Sequence, residues 1–107
     1  MIRLTVLYNL AADTDEEEFL AWRLGEHQEY NSSMPGVVRT DFGRVYNAWP
    51  EGKEPRYRFM TTADFPDRQS FEKAFYDEEI QTKLKADSEG LGDYLFLISE
   101  ILTSTDE

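Results

Sequence analysis

The sequence predicts an α+β domain in which two helices lie across one face of a four-stranded antiparallel sheet. Three observations carry this. Stretches of β-forming, alternating residues mark strands at both ends of the chain, over 2–10 and 94–103. Two more such stretches, 37–48 and 56–65, stand next to each other in the middle. Two stretches with apolar residues at helical spacing separate that central pair from the outer strands. The order strand, helix, strand, strand, helix, strand is the ferredoxin-like split βαβ plan.

In the first strand Ile2, Leu4, Val6 and Tyr8 share one face, and Arg3, Thr5, Leu7 and Asn9 the other. The first set reads as a core face and the second is mixed. Thr14 is placed to cap the following helix, with Glu17 three residues on as in a capping box. The run Asp15-Glu16-Glu17-Glu18 suits the positive end of the helix dipole. The helix is expected to reach about Tyr30, with Asn31-Ser32-Ser33 ending it and Pro35-Gly36 turning the chain into the second strand.

That strand, Val37 to Ala48, alternates without a clean apolar face, and Gly43 is a candidate bulge. The loop from Trp49 to Pro55 is too long for a tight hairpin. Trp49 there covers either a neighbour or a pocket mouth, or simply packs on the surface. In the third strand, Tyr57, Phe59, Thr61, Ala63 and Phe65 oppose Arg56, Arg58, Met60, Thr62 and Asp64. Asp67 caps a second helix carrying the stripe Phe71, Ala74 and Phe75, which breaks near Asp77 and resumes toward Ala86. Gly90-Leu91-Gly92 reads as a loop without the spacing of a phosphate cradle. The last strand, Tyr94 to Thr103, is apolar on both faces except at Ser99 and Glu100, as in a strand buried on both sides, and an acidic tail, 104–107, follows.

At 107 residues the chain is expected to be one domain, spanning 1–107. An apolar fraction of 40% and an aromatic fraction of 14% argue against disorder despite 31% charged residues. The formal charge of −11 opposes binding to nucleic acid and to anionic membranes, and its plain meaning is solubility. The absence of cysteine excludes disulfides, thiol nucleophiles and zinc–thiolate sites. The opening residues lack a signal-peptide pattern and no stretch approaches ~20 apolar residues, so a cytoplasmic protein is expected. One histidine and scattered carboxylates make no recognisable metal-ligand set, and no haem-attachment motif is present. Neither a metal nor a cofactor is expected.

The candidate site lies on the first helix. On a wheel of about 100° per residue, Phe19, Leu20, Trp22, Leu24 and Tyr30 share one arc, and Gln28 and Glu29 fall on the other side. The apolar arc also holds Arg23, Glu26 and His27, spaced so that all three can meet. Ionisable groups in an apolar stripe need partners. If the helix-borne His27 serves a pocket, that pocket lies between the helices and the sheet, with Tyr8, Trp22, Tyr30, Tyr57 and Phe59 as candidate walls. Histidine exchanges protons near neutral pH, and Glu26 or Arg23 would set its tautomer and charge. The plainer alternative is a histidine hydrogen-bonded within the core beside an Arg23–Glu26 surface pair, with the aromatic residues as packing.

Two helices cover only one face of such a sheet. A last strand with Leu95, Leu97 and Ile101 on one side and Phe96, Ile98 and Leu102 on the other predicts that the open face is covered too. The economical cover is a second copy, sheet to sheet about a two-fold axis, giving a dimeric α+β barrel. Arg39, Asp41, Arg58 and Glu100 are candidates for ion pairs across it.

The opening Ile2-Arg3-Leu4-Thr5-Val6-Leu7-Tyr8, the helix residues Phe19, Trp22 and His27, and the turn Met34-Pro35-Gly36 resemble the EthD-like group of the dimeric α+β barrel superfamily. Phe65, Asp67 and the helix from Phe71 to Phe75 fit its second half. The resemblance departs at Glu29, where members often carry proline. It implies a dimeric barrel. It also implies kinship with small cofactor-free oxygenases, isomerases and haem-degrading enzymes, or with accessory proteins of degradative pathways and enzymes acting on aromatic polyketides. Three roles follow as expectations: a cofactor-free lyase, isomerase or oxygenase on a small hydrophobic or aromatic substrate with His27 as acid or base; a small-molecule binding or accessory module with the same pocket; or a dimer acting through its surface.

Overall fold

The alternation of Ile2–Leu10 does build a strand, β1, inside the sheet. The computed structural model describes residues 1–50 and 54–105. In it β1 lies between β3 (Phe59–Phe65) and β4 (Leu91–Glu100), and β2 (Arg39–Arg44) pairs with β3, giving the order β2-β3-β1-β4 with every pair antiparallel. Leu4 stands opposite Ala63 and Ile98, Val6 opposite Thr61 and Phe96, and Tyr8 opposite Phe59 and Tyr94. These residues face the helices. The other parity faces away: Leu7 between Met60 and Leu95, Thr5 between Thr62 and Leu97, Arg3 between Asp64 and Ser99.

The first helix is capped one residue later than expected, by Asp15 and not Thr14. Thr14 spends its backbone N–H on a turn to the Ala11 carbonyl, and Asp15, in extended conformation, accepts from the Glu17 and Glu18 N–H groups. A carboxylate there answers both the open donors and the dipole. The helix then runs through three segments: α1 (Glu16–Trp22), a π-helical stretch (Arg23–His27) and α2 (Gln28–Ser32). Gly36, at φ 84°, makes the turn into β2, a conformation that glycine adopts without a Cβ clash.

The second helical region splits near Asp77 as the sequence indicates. Asp67 caps α3 (Arg68–Phe75) through the Ser70 N–H at 2.7 Å, and Asp77 caps α4 (Glu78–Glu89), which extends beyond the expected Ala86. Two core clusters follow. Ile2 and Phe65 pack with Phe71 and Ala74 of α3, and Val6, Tyr8 and Phe59 pack with Phe19 and Leu20 of α1.

Four strand expectations are corrected. β2 and β3 are shorter than predicted, because past the bond from the Val45 N–H to the Arg58 carbonyl residues 46–50 and 54–57 leave the ladder. Gly43 is not a bulge, since β2 and β3 keep one register from Arg39 to Arg44. The irregularity lies instead between Tyr8 and Leu10, against β4. Gly90-Leu91-Gly92 is not a loop, for β4 begins at Leu91. Gly92 sits so close to β1 that a Cβ would stand 2.8 Å from the Leu10 carbonyl oxygen. Nor does the chain itself bury both faces of β4, because β4 is an edge strand: Tyr94, Leu95, Leu97 and Ile98 remain 50%, 40%, 44% and 48% exposed. Trp49 is exposed, residues 51–53 of its loop lie outside the described residues, and so do the last two residues of the acidic tail. Arg39 pairs with Asp41 and Arg58 with Glu16 inside the chain.

Candidate functional site

Between the helices and the sheet lies a cavity of about 150 Å³. The sheet contributes Leu4, Val6, Tyr8, Thr61, Ala63, Leu91 and Phe96; the first helix contributes Phe19, Trp22, Arg23, His27, Tyr30 and Asn31; α4 contributes Ile80, Lys83, Leu84, Asp87 and Ser88. Met34 and Phe75 complete the wall. The lining is mostly apolar and aromatic with a few polar groups, the composition of a small-molecule pocket.

The π-helical stretch decides which side chains meet here. A regular helix sets residues five apart about 140° from each other. A π turn, with its i→i+5 spacing, brings them onto one face. Two such pairs form. The His27 imidazole stacks on the Trp22 indole with ring centroids 4.3 Å apart and planes 26° from parallel. Arg23 donates from Nη1 to Oε1 of Gln28 at 2.7 Å. The wheel places Gln28 on the far side and Glu26 beside Arg23. The structure reverses this: Glu26 is exposed and makes no ion pair with Arg23 among the described residues.

Arg23 is 1% exposed. Besides Gln28 it donates to Oγ1 of Thr61 at 3.2 Å, and its Cζ lies 4.2 Å from the centre of the Phe42 ring. Burial pulls its pKa downward, with Tyr8 opposing the shift. Tyr8 is pushed the other way, because burial disfavours its phenolate, while the neighbouring Thr61 and Arg23 act against that. His27 is half-buried, and its pKa is lowered first by burial and then by the charge of Arg23. Asp87 pulls it up and Lys83 pushes it down, both from α4 across the cavity. The result is an imidazole that is neutral near pH 7, the form that accepts a proton.

Of the eight residues singled out from the sequence, Tyr8, Trp22, Arg23, His27 and Tyr30 share the cavity wall. Glu26, Tyr57 and Phe59 stand apart from it. Phe59 is fully buried under Phe19 and Phe42, Tyr57 lies beneath the Arg56 guanidinium just before β3 begins, and Glu26 points to solvent. Sequence reasoning missed Thr61, Asn31, Lys83 and Asp87. Thr61 shares the parity of Phe59 and Phe65, and Lys83 and Asp87 are four apart on one helix, which were the available signals. Lys83 Nζ lies 3.9 Å from Asp87 Oδ2 and 4.9 Å from the Tyr30 ring centre. Among the described residues, no group of three or more histidine or acidic side chains is placed to hold a metal, and no helix is long and apolar enough to cross a membrane.

No family model and no curated protein matches the chain. Solved structures do. An EthD family protein from Bacillus halodurans superposes with a TM-score of 0.76 at 19% identity, over 95% of this chain and 99% of that one. A variant of SnoaB, a cofactor-independent oxygenase from Streptomyces nogalater, gives 0.70 at 12% identity over 99% and 97%. A dimeric ferredoxin-like protein of unknown function from Thermobifida fusca gives 0.69 at 17% identity over 94% and 90%. With helices on one face of the sheet order β2-β3-β1-β4, the chain has the ferredoxin-like α+β fold of these proteins.

Proposed function

We propose that the chain, as one domain, is a subunit of a cytoplasmic homodimer closed sheet to sheet. Each subunit's cavity binds a small hydrophobic, ring-sized molecule, on which His27 acts as acid or base in a lyase, isomerase or oxygenase type of reaction that draws on no bound cofactor. The observation that carries this is the His27 imidazole, held against Trp22 at the wall of an apolar cavity and kept neutral by burial and by Arg23. A neutral base in a largely apolar site is suited to taking a proton from an enol, a phenol or an acidic C–H. The exposed Met60, Leu95 and Leu97 on the open sheet face support the dimer, as does the dimeric state of the Thermobifida fusca protein. The cofactor-independence of SnoaB supports the chemistry.

One observation favours a second reading, a binding or accessory protein without chemistry. His27 makes no hydrogen bond among the described residues that would fix its tautomer; its contacts are stacking ones.

Proton exchange separates the two. Single-ring aryl ketones are incubated with the protein in D2O, and loss of the α-proton signal is followed by NMR. Catalysed exchange that falls about 100-fold in His27→Ala supports the base. Exchange that survives the substitution removes His27 from the chemistry. Ketones that bind without any exchange leave the binding protein as the reading.

A further inference from the structure

Arg23 differs from the ion-paired cations of the chain. Arg3 has Asp64, Arg58 has Glu16 and Lys83 has Asp87 within ion-pair distance. Arg23, nearly sealed from solvent, has only neutral partners among the described residues: the Gln28 amide, the Thr61 hydroxyl, the Phe42 ring and a Tyr8 phenol that burial keeps protonated. This happens in a chain with 22 acidic residues against 11 basic ones, so carboxylates were not in short supply. A guanidinium does not give up its charge, and a buried charge without a counter-charge is unfavourable.

The other charged and titratable groups facing the cavity do not balance it. Lys83 and Asp87 from α4 offset each other, His27 and Tyr30 from the first helix are neutral near pH 7, and so is Tyr8 from β1. The formal charge left at the wall is that of Arg23. Beside it, Tyr8 and Thr61 both line the cavity, and each carries a hydroxyl that can donate.

We propose that the cavity selects a ligand bearing one anionic oxygen, a phenolate, enolate or carboxylate, on a ring-sized apolar body. The oxygen is held by the Tyr8 and Thr61 hydroxyls in the field of Arg23. The volume fits, since a cavity near 150 Å³ with mostly apolar walls has room for a benzene-sized body. The proposal rests on the reading of the cavity as a ligand site and adds the charge of what enters. It also supplies a role for His27: a base that removes the proton generates the anion that the wall is built to hold.

The test uses 4-nitrophenol, whose yellow phenolate reports its own ionisation, titrated by absorbance in the presence of saturating protein. Bound to the wild-type chain it is expected to ionise at least about one pH unit below its value in buffer, equivalent to tenfold tighter binding of the phenolate than of the phenol. In Arg23→Met the shift disappears, and benzoate loses at least tenfold in affinity while benzyl alcohol does not. Bound 4-nitrophenol that ionises at or above its solution value overturns the proposal and leaves the ligand site standing. Absence of binding of phenol, phenolate and benzoate at millimolar concentration removes both. Should Arg23→Met not fold, the wild-type titration decides alone.

Discussion

Deleting one residue from the middle of a helix ordinarily rotates everything downstream by about 100° and is severe. Deletion of Gly25 is expected to be an exception. Gly25 lies inside the π-helical stretch and is exposed, and a Cβ there would meet nothing within 4 Å. Removing it shortens the spacing of Trp22 to His27, and of Arg23 to Gln28, from five to four. Residues four apart on a regular α-helix already share a face. Both pairs therefore survive, the π turn relaxes to an α turn, and a mid-helix glycine that disfavours helix by about 1 kcal/mol relative to alanine is gone. The expected stability change lies between zero and a gain of about 1 kcal/mol, read from urea unfolding followed by circular dichroism. The comparison is deletion of Ala86, an exposed residue in α4. That deletion swings Asp87 and Ser88 off the cavity wall and is expected to lose about 2 kcal/mol or more. A Gly25 deletion as damaging as the Ala86 deletion would show that the five-residue spacing is not what joins these pairs, and the account of the site would fail with it.

Two further outcomes are expected. Leu97, 44% exposed on the open sheet face, contributes about 1 kcal/mol per copy when a partner completes its burial, so Leu97→Asp should weaken the proposed dimer at least tenfold in sedimentation. Leu24→Asp, on the outer surface of the first helix where Leu24 is 64% exposed, should not, and equal effects would put the interface elsewhere. The lowered pKa of His27 means that the unfolded chain takes up the proton first as pH falls. Its contribution to stability is therefore complete above about pH 6.5 and is lost below it, and His27→Gln should flatten that part of the profile. A wild-type chain that gains stability through the same window relative to the variant would mean the folded state favours the imidazolium.

What could be read from the sequence was whatever depends on period and on local chemistry. The parity of β1 placed Ile2, Leu4, Val6 and Tyr8 under the helices, Asp67 marked a helix start and Asp77 a helix break, because strand alternation and capping act over a few residues. The wheel failed at Glu26 and Gln28 because it assumes one rotation per residue throughout, and a π turn changes that rotation without an unusual composition; Gly25 in mid-helix was its only trace. β4 shows a different limit. Apolar residues on both of its faces record that something must cover them, and they do not record what does, so the pattern suggested full burial for a strand that the chain alone leaves at the edge. Thr61, Lys83 and Asp87 were invisible for an opposite reason. A threonine in a strand and an i, i+4 ion pair on a helix are the commonest surface patterns, and only the packing of α4 across the first helix turns them toward a cavity.

The π turn also explains why Arg23 is left with its charge. On a regular helix the neighbours of Arg23 are the residues three and four ahead, Glu26 and His27, and Glu26 would neutralise the guanidinium. The extra residue in the turn carries Glu26 out to solvent and puts the neutral amide of Gln28 against Arg23 in its place. It also carries His27 under Trp22 and to the cavity wall. One local departure from regular geometry thus removes the internal counter-ion, supplies a neutral hydrogen-bond partner, and brings an imidazole to the same wall. A regular helix of the same sequence would hold a self-neutralised ion pair there. Such a wall would have no electrostatic preference for an anion, which makes the ionisation of a bound phenol a direct readout of the helix register.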